Sequence, residues 1–314
     1  MGETGKGMIA IVAACTIWGL SALYWNLITQ VPPLEILAHR TLWSLLFFGI
    51  VLAARGRLHE AIRLLSRPGD AWKVALAALT ISANWFLFIY SVQIGRVVEA
   101  SLGYYIFPLV AVLFGMVFFG EPLGRVRGLA VGLAGMAVAV LTLGLGVAPW
   151  ISLMLAITFG SYGVIKKGLK AGPVVSVTAE IAVLAPLAAI WLAGVHLWGW
   201  TGITGTAYGA FGKDLGASLI LIAAGGATGL PLILFSYGAQ RLPLGMTGVL
   251  QYLNPSLQFL VAALIFSEPI TPWHWIAFPL IWSAVAIFSG ESLRQDRAAR
   301  RRSISVSTSG TTVM

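Results

Sequence analysis

Long apolar stretches alternate with short breaks along almost the whole chain. A helix rising 1.5 Å per residue needs about 20 apolar residues to cross a hydrocarbon layer about 30 Å thick. Ten stretches meet or approach that length, at about 8–29, 34–54, 72–94, 98–119, 125–145, 149–165, 174–195, 216–238, 245–266 and 271–290. The breaks carry Pro, Gly or charge, as in Val31-Pro32-Pro33, Arg67-Pro68-Gly69-Asp70, Lys170-Ala171-Gly172-Pro173 and Ser267-Glu268-Pro269. Hydrocarbon offers backbone amides no water, so each stretch is predicted as a helix. The expected fold class is an all-α polytopic membrane protein with ten transmembrane helices.

The pattern repeats. Phe88, Tyr90, Gln93, Tyr105, Pro108, Leu113, Phe119, Glu121 and Pro122 recur as Phe235, Tyr237, Gln240, Tyr252, Pro255, Leu260, Phe266, Glu268 and Pro269, 147 residues later. Five spans per copy turn the second copy upside down. Two inverted five-helix repeats are one way to enclose a site that opens alternately to either side. The expected organisation is a cytoplasmic N-terminus (1–7), a first repeat (8–145), a second repeat (149–290) and a basic Ser/Thr-rich cytoplasmic tail (291–314), disordered from Ser303.

Composition agrees. Only 10% of residues are charged, against about 25% in a soluble domain, and 58% are hydrophobic. The net charge of +9 is placed by topology. With the N-terminus inside, seventeen of the 20 Lys and Arg fall on the cytoplasmic side, Arg96 and Lys213 fall outside, and Arg40 lies within a span. That asymmetry sets both termini in the cytoplasm and makes membrane lipid, not nucleic acid, the partner of the basic tail. Cys15 stands alone inside the first span, which excludes an intrachain disulfide. No phosphate-binding Gly-rich loop, nucleophile elbow or metal-ligand spacing is found, so no metal and no cofactor is expected.

Polar groups at membrane depth are the candidates for chemistry. Arg40 and His39 lie about 9 Å inside the second span. Arg40 either anchors an anionic substrate group or reaches outward to pair with Glu35. His39 either carries a coupling proton or bonds a carbonyl. Under the repeat, at an offset of 141 in this part of the chain, His39 lies opposite Glu180. Inversion puts them toward opposite faces, as two gates rather than a pair, or else Glu180 simply bonds a neighbouring helix. Pro108 and Pro255 each remove a helix hydrogen bond, and a matched pair of disrupted helices points to a transport site. Beside them Tyr105, Tyr252 and Asn254 offer hydrogen bonds and aromatic faces, or a packed kink. Asn84 is a pocket residue or interhelical glue. Lys166 and Lys167 are expected to snorkel to the cytoplasmic surface. Gly124, Gly128 and Gly132, like Gly225 and Gly229, pack the bundle or form a homodimer seam.

Trp18-Gly19-Leu20-Ser21 with Tyr24-Trp25, Ala38-His39-Arg40 with Trp43-Ser44, Asn84-Trp85, Ser101-Leu102-Gly103-Tyr104-Tyr105-Ile106-Phe107-Pro108-Leu109 and Gln251-Tyr252-Leu253-Asn254-Pro255-Ser256 follow one another in this order. In this set, with the two Glu-Pro turns, the chain resembles the drug/metabolite transporter superfamily, specifically RarD-like EamA permeases, over about residues 8–290. The resemblance implies ten helices in two repeats, an inner-membrane location and transport of a small metabolite or drug-like solute. It implies a substrate pathway formed mainly by spans one, three, four, six, eight and nine, which adds Trp18 to Arg40, Asn84, Tyr105, Tyr252 and Asn254. The expected function is a secondary transporter (permease) rather than an enzyme. The alternatives are a solute channel and a membrane-embedded enzyme on a lipid-linked substrate, for which Glu121 and Glu268 are the available carboxylates.

Overall fold

The computed structural model describes residues 2–120, 124–203, 205 and 209–309, without the side chains of 244, 245, 292 and 295–309. Glu121 and Pro122, the first copy of the Glu-Pro turn, lie outside the described residues. Among the described residues every regular element is a helix. Among the described residues nine helices are long and apolar enough to cross a membrane, so this is an all-helical, multi-pass chain.

The first span is α1 (Glu3–Gly19) and α2 (Ser21–Asn26), broken at Leu20. Then come α3 (Pro33–Ala54), a short α4 (Leu58–Ser66), α5 (Pro68–Gln93), α6 (Val97–Phe119) and α7 (Arg125–Leu145). The second half holds α8 (Trp150–Lys167), α9 (Pro173–Trp198), α10 (Leu215–Ala239), α11 (Leu244–Gln251), α12 (Leu253–Leu260) and α13 (Pro272–Ser309). Proline opens α3, α5 and α9 at the first helical turn, where its absent N–H costs nothing. Asp214 caps α10 by accepting the Ala217 N–H at 3.1 Å. The eighteen residues of α8 end on Lys166 and Lys167, whose polarity keeps that helix out of the nine.

The matched pair of disrupted helices is not matched. Pro108 lies within an unbroken α6, whereas the chain around Pro255 is split at Tyr252 and followed by a π-helical turn over Val261–Ile265. One proline removes one bond and an otherwise apolar helix tolerates it; the second site adds a break just upstream and a widened turn downstream. At the C-terminal end α13 continues to Ser309. Its Leu, Arg, Gln and Ala after residue 290 are strong helix formers. Finally, α4 lies in the connection between the second and third spans, with Ala61 and Leu64 buried and Arg57 and Glu60 paired at the surface.

The helices pair across the two halves. α3 packs on α9 and α10, α5 on α8 and α9, and α6 on α8 and α12. α1 packs on α10 and α12, and α7 on α13. A Cβ on Gly225 of α10 would lie 2.4 Å from the Trp43 carbonyl oxygen of α3, so this glycine lets the two backbones meet. Gly225 and Gly229 therefore serve packing inside the chain. Gly124 and Gly132 face open space. Glu268 joins the halves elsewhere, accepting the Val97 and Val98 N–H groups at 2.7 and 2.8 Å and so capping α6. Burial pushes its carboxyl above the usual range, while the amides of Val98 and Val97 pull it back.

Candidate functional site

A buried cation sits in an aromatic box. Arg40, on the first half of α3, is 8% exposed. Its guanidinium lies 4.1 Å from the ring centre of Trp85 (α5) and 5.5 Å from that of Trp25 (α2). Its Nε donates to Thr228 Oγ1 (α10) at 2.9 Å. No carboxylate pairs with it among the described residues. The alternative pairing with Glu35 is not formed, because both Glu35 oxygens accept backbone N–H groups, from Gly209 at 3.1 Å and Ala210 at 2.7 Å. A guanidinium can stack on indole and still offer its remaining N–H groups in the ring plane, which suits it to a planar anion.

Asn84 and Tyr104 complete this cluster. Asn84 Nδ2 donates to Leu155 O and Thr158 Oγ1, both at 3.0 Å, and its Oδ1 accepts the Tyr104 hydroxyl at 3.0 Å. Asn84 thus joins α5, α6 and α8, the interhelical glue of one sequence reading, and fixes Tyr104. The Tyr24 hydroxyl donates to the Ile220 carbonyl of α10. Thr228 was not singled out by sequence reasoning. Thr228 is 188 residues from Arg40, and no local spacing signals it.

Tyr105 and Tyr252 form a second, separate place. Their rings stack at 6.2 Å and 15°, and the Tyr105 hydroxyl meets Ser256 Oγ at 2.6 Å. With Phe259, Trp282 and Ser289 they line an open, largely apolar cavity of about 510 Å³ between α6, α12 and α13. Asn254 does not line it; its Oδ1 accepts Gln258 Nε2 at 3.0 Å within α12. Trp18 does not line it either, and instead lies 5.6 Å from Phe235 of α10. Pro255 is buried at the start of α12.

The remaining polar groups occupy two further clusters. Lys166 does not snorkel outward: its Nζ meets Glu180 Oε1 at 2.6 Å and also bonds Ser176 Oγ. Glu180 Oε2 accepts the Tyr162 hydroxyl at 3.0 Å, so a fully buried carboxylate ties α8 to α9. The charge of Glu180 draws the ammonium inward more strongly than the membrane surface draws it out. His39 stacks on Phe211 at 4.9 Å, and its buried Nε2 bonds nothing among the described residues. Spacing along the chain gives no metal-ligand cluster, yet the fold brings one donor atom each of Glu35, His39 and His196 within 4.8 Å of one another.

A buried cation with no carboxylate partner among the described residues thus sits among aromatic rings in a multi-pass helical bundle. Residues 5–143 match the EamA-like transporter family. Protein RarD of Streptomyces exfoliatus is 42% identical over 96% of this chain and 93% of its own length. The uncharacterized transporter YojE of Bacillus subtilis (strain 168) is 37% identical over 95% of this chain and 98% of its own. One solved crystal structure shares the fold with a TM-score of 0.55 at 22% identity, covering 90% of this chain and 96% of that one. The chain belongs to the EamA-like transporter family and is a RarD-like EamA permease.

Proposed function

We propose that this chain is a secondary transporter of ten spans. Two inverted five-helix halves move a small solute with an anionic group and a flat apolar part across the inner membrane by alternating access. Arg40 carries the reading. A cation at membrane depth costs about 2.5–3.5 kcal/mol on insertion scales, and one held without a carboxylate has its charge free for a ligand. Trp85, Trp25 and Tyr104 would take the flat part, and Thr228 and Asn84 hold Arg40 and Tyr104 in place.

The packing supports the inverted halves. Exchange α1 with α8, α3 with α9, α5 with α10, α6 with α12 and α7 with α13. The pair α5–α8 becomes α10–α1, α3–α10 becomes α9–α5, and α6–α8 becomes α12–α1. The pairs α3–α9, α6–α12 and α7–α13 return to themselves. This symmetry makes α8 the sixth span. The Lys and Arg placement supports cytoplasmic termini. On that orientation the cluster at His39 closes the outer mouth and the Lys166–Glu180 tie closes the inner one, each opening as the other shuts. The cavity at Tyr105 and Tyr252 forms a side path for an amphipathic solute, with Trp18 and Asn254 supporting α1 and α12 beside it.

The test is a thermal-shift screen of detergent-solubilised protein against aromatic carboxylates and their uncharged amide isosteres. A ligand of the folded state raises the melting temperature by mass action. The expected result is a shift from at least one carboxylate, none from its amide, and loss of the shift in Arg40→Ala. Equal shifts from acid and amide, or a shift that survives Arg40→Ala, would remove Arg40 from the site.

A further inference from the structure

We infer that Glu35, His39 and His196 form a site for a first-row transition-metal dication of the zinc class, where α3 begins and α9 ends. Glu35 and His39 stand four residues apart on α3, hence on one face. His196 arrives from the last turn of α9. One donor atom from each lies within 4.8 Å of the other two, a separation that small side-chain movements bring to a shared ion. Two imidazoles and a carboxylate suit Zn²⁺ and its neighbours rather than Mg²⁺ or Ca²⁺, which take oxygen. Three protein ligands leave a fourth position for water or a solute group.

The surroundings orient the donors as ligand-supporting groups do. The Gly209 and Ala210 N–H groups fix the Glu35 carboxylate, whose remaining lone pairs stay available. Phe211 fixes the plane of the His39 ring. Gly209 has φ of +57°, and a Cβ there would stand 3.3 Å from His196 Nδ1, so only this backbone brings the turn so near. His39 supplies the independent observation. It is 5% exposed, and its Nε2 has no hydrogen bond among the described residues. An orphaned buried imidazole nitrogen is costly, and metal ligation is one way to satisfy that ring. The Lys213 ammonium approaches Gly209 as well, and its charge opposes a dication. The test of this site needs no transported solute.

The experiment is equilibrium dialysis of chelator-stripped full-length protein against Zn²⁺, with Co²⁺ absorption as a second readout. One Zn²⁺ per chain is expected, with low-coordinate Co²⁺ bands. His196→Ala should weaken binding at least about tenfold, since even outer-shell losses cost that much. His196 is exposed, so this variant is expected to fold. His59→Ala should bind as the native protein does, and Lys213→Ala should bind more tightly. Absence of Zn²⁺ binding, or native affinity in His196→Ala, would overturn the proposal.

Discussion

Arg40 works as a flat cation, wedged near two indoles and held at Nε by Thr228. An ammonium keeps the charge but loses the stacking plane and the fork of donors. Transport of an anionic solute should therefore fall at least about tenfold in kcat/KM in both Arg40→Ala and Arg40→Lys, a loss of about 1.4 kcal/mol or more. Proteoliposome uptake checks it, and native rates in Arg40→Lys would mean that charge alone suffices. Glu180 poses a different problem. Removing its charge in Glu180→Gln leaves the half-buried Lys166 ammonium without its carboxylate, and the melting temperature should fall. Replacing both partners, as Glu180→Leu with Lys166→Met, should restore most of the melting temperature lost in the single variant. Arg40, His39 and Glu180 were legible in the sequence because charge inside an apolar stretch stands out. Their partners were not. Thr228, Tyr162 and the pairing of Lys166 with Glu180 depend on which helix faces which, and an apolar pattern does not encode that in a bundle whose outer surface is also apolar.

Element boundaries were more legible, because span length is set by the bilayer and Pro or Gly marks the ends. The stretch read as 125–145 is α7 (Arg125–Leu145), and that read as 98–119 is α6 (Val97–Phe119). The break at Leu20 and the π-helical turn after α12 were not legible, since neither changes the hydropathy pattern. The short α4 escaped because a nine-residue amphipathic helix reads as a charged loop. Close approach of α3 and α10 rests on Gly225. Gly225→Val should lower thermal stability by about 1–3 kcal/mol through overpacking. Gly132→Ala, in open space, should not lower it. Equal melting temperatures for native protein and Gly225→Val would show that the helices separate freely there.

At the scale of the molecule, exchange of the two halves preserves the helix pairing, with one polar cluster where α3 begins and α9 ends and another between α8 and α9. If the halves are inverted, the connections around residues 60 and 170 share one face of the membrane. A cysteine placed at either position, in a Cys15→Ala background, should react with the same impermeant reagent from the same side, and one at 213 from the other. Labelling of 60 and 170 from opposite sides would break the inverted arrangement. The larger claim is that the unpaired guanidinium in the aromatic box is the point through which solute passes. It is tested most directly by counterflow in proteoliposomes, loading the aromatic carboxylate with the largest thermal shift and following its labelled form outside. The account predicts saturable uptake that is accelerated by internal solute and abolished in Arg40→Ala. Uptake that rises linearly with concentration, ignores internal solute or persists in Arg40→Ala would contradict it.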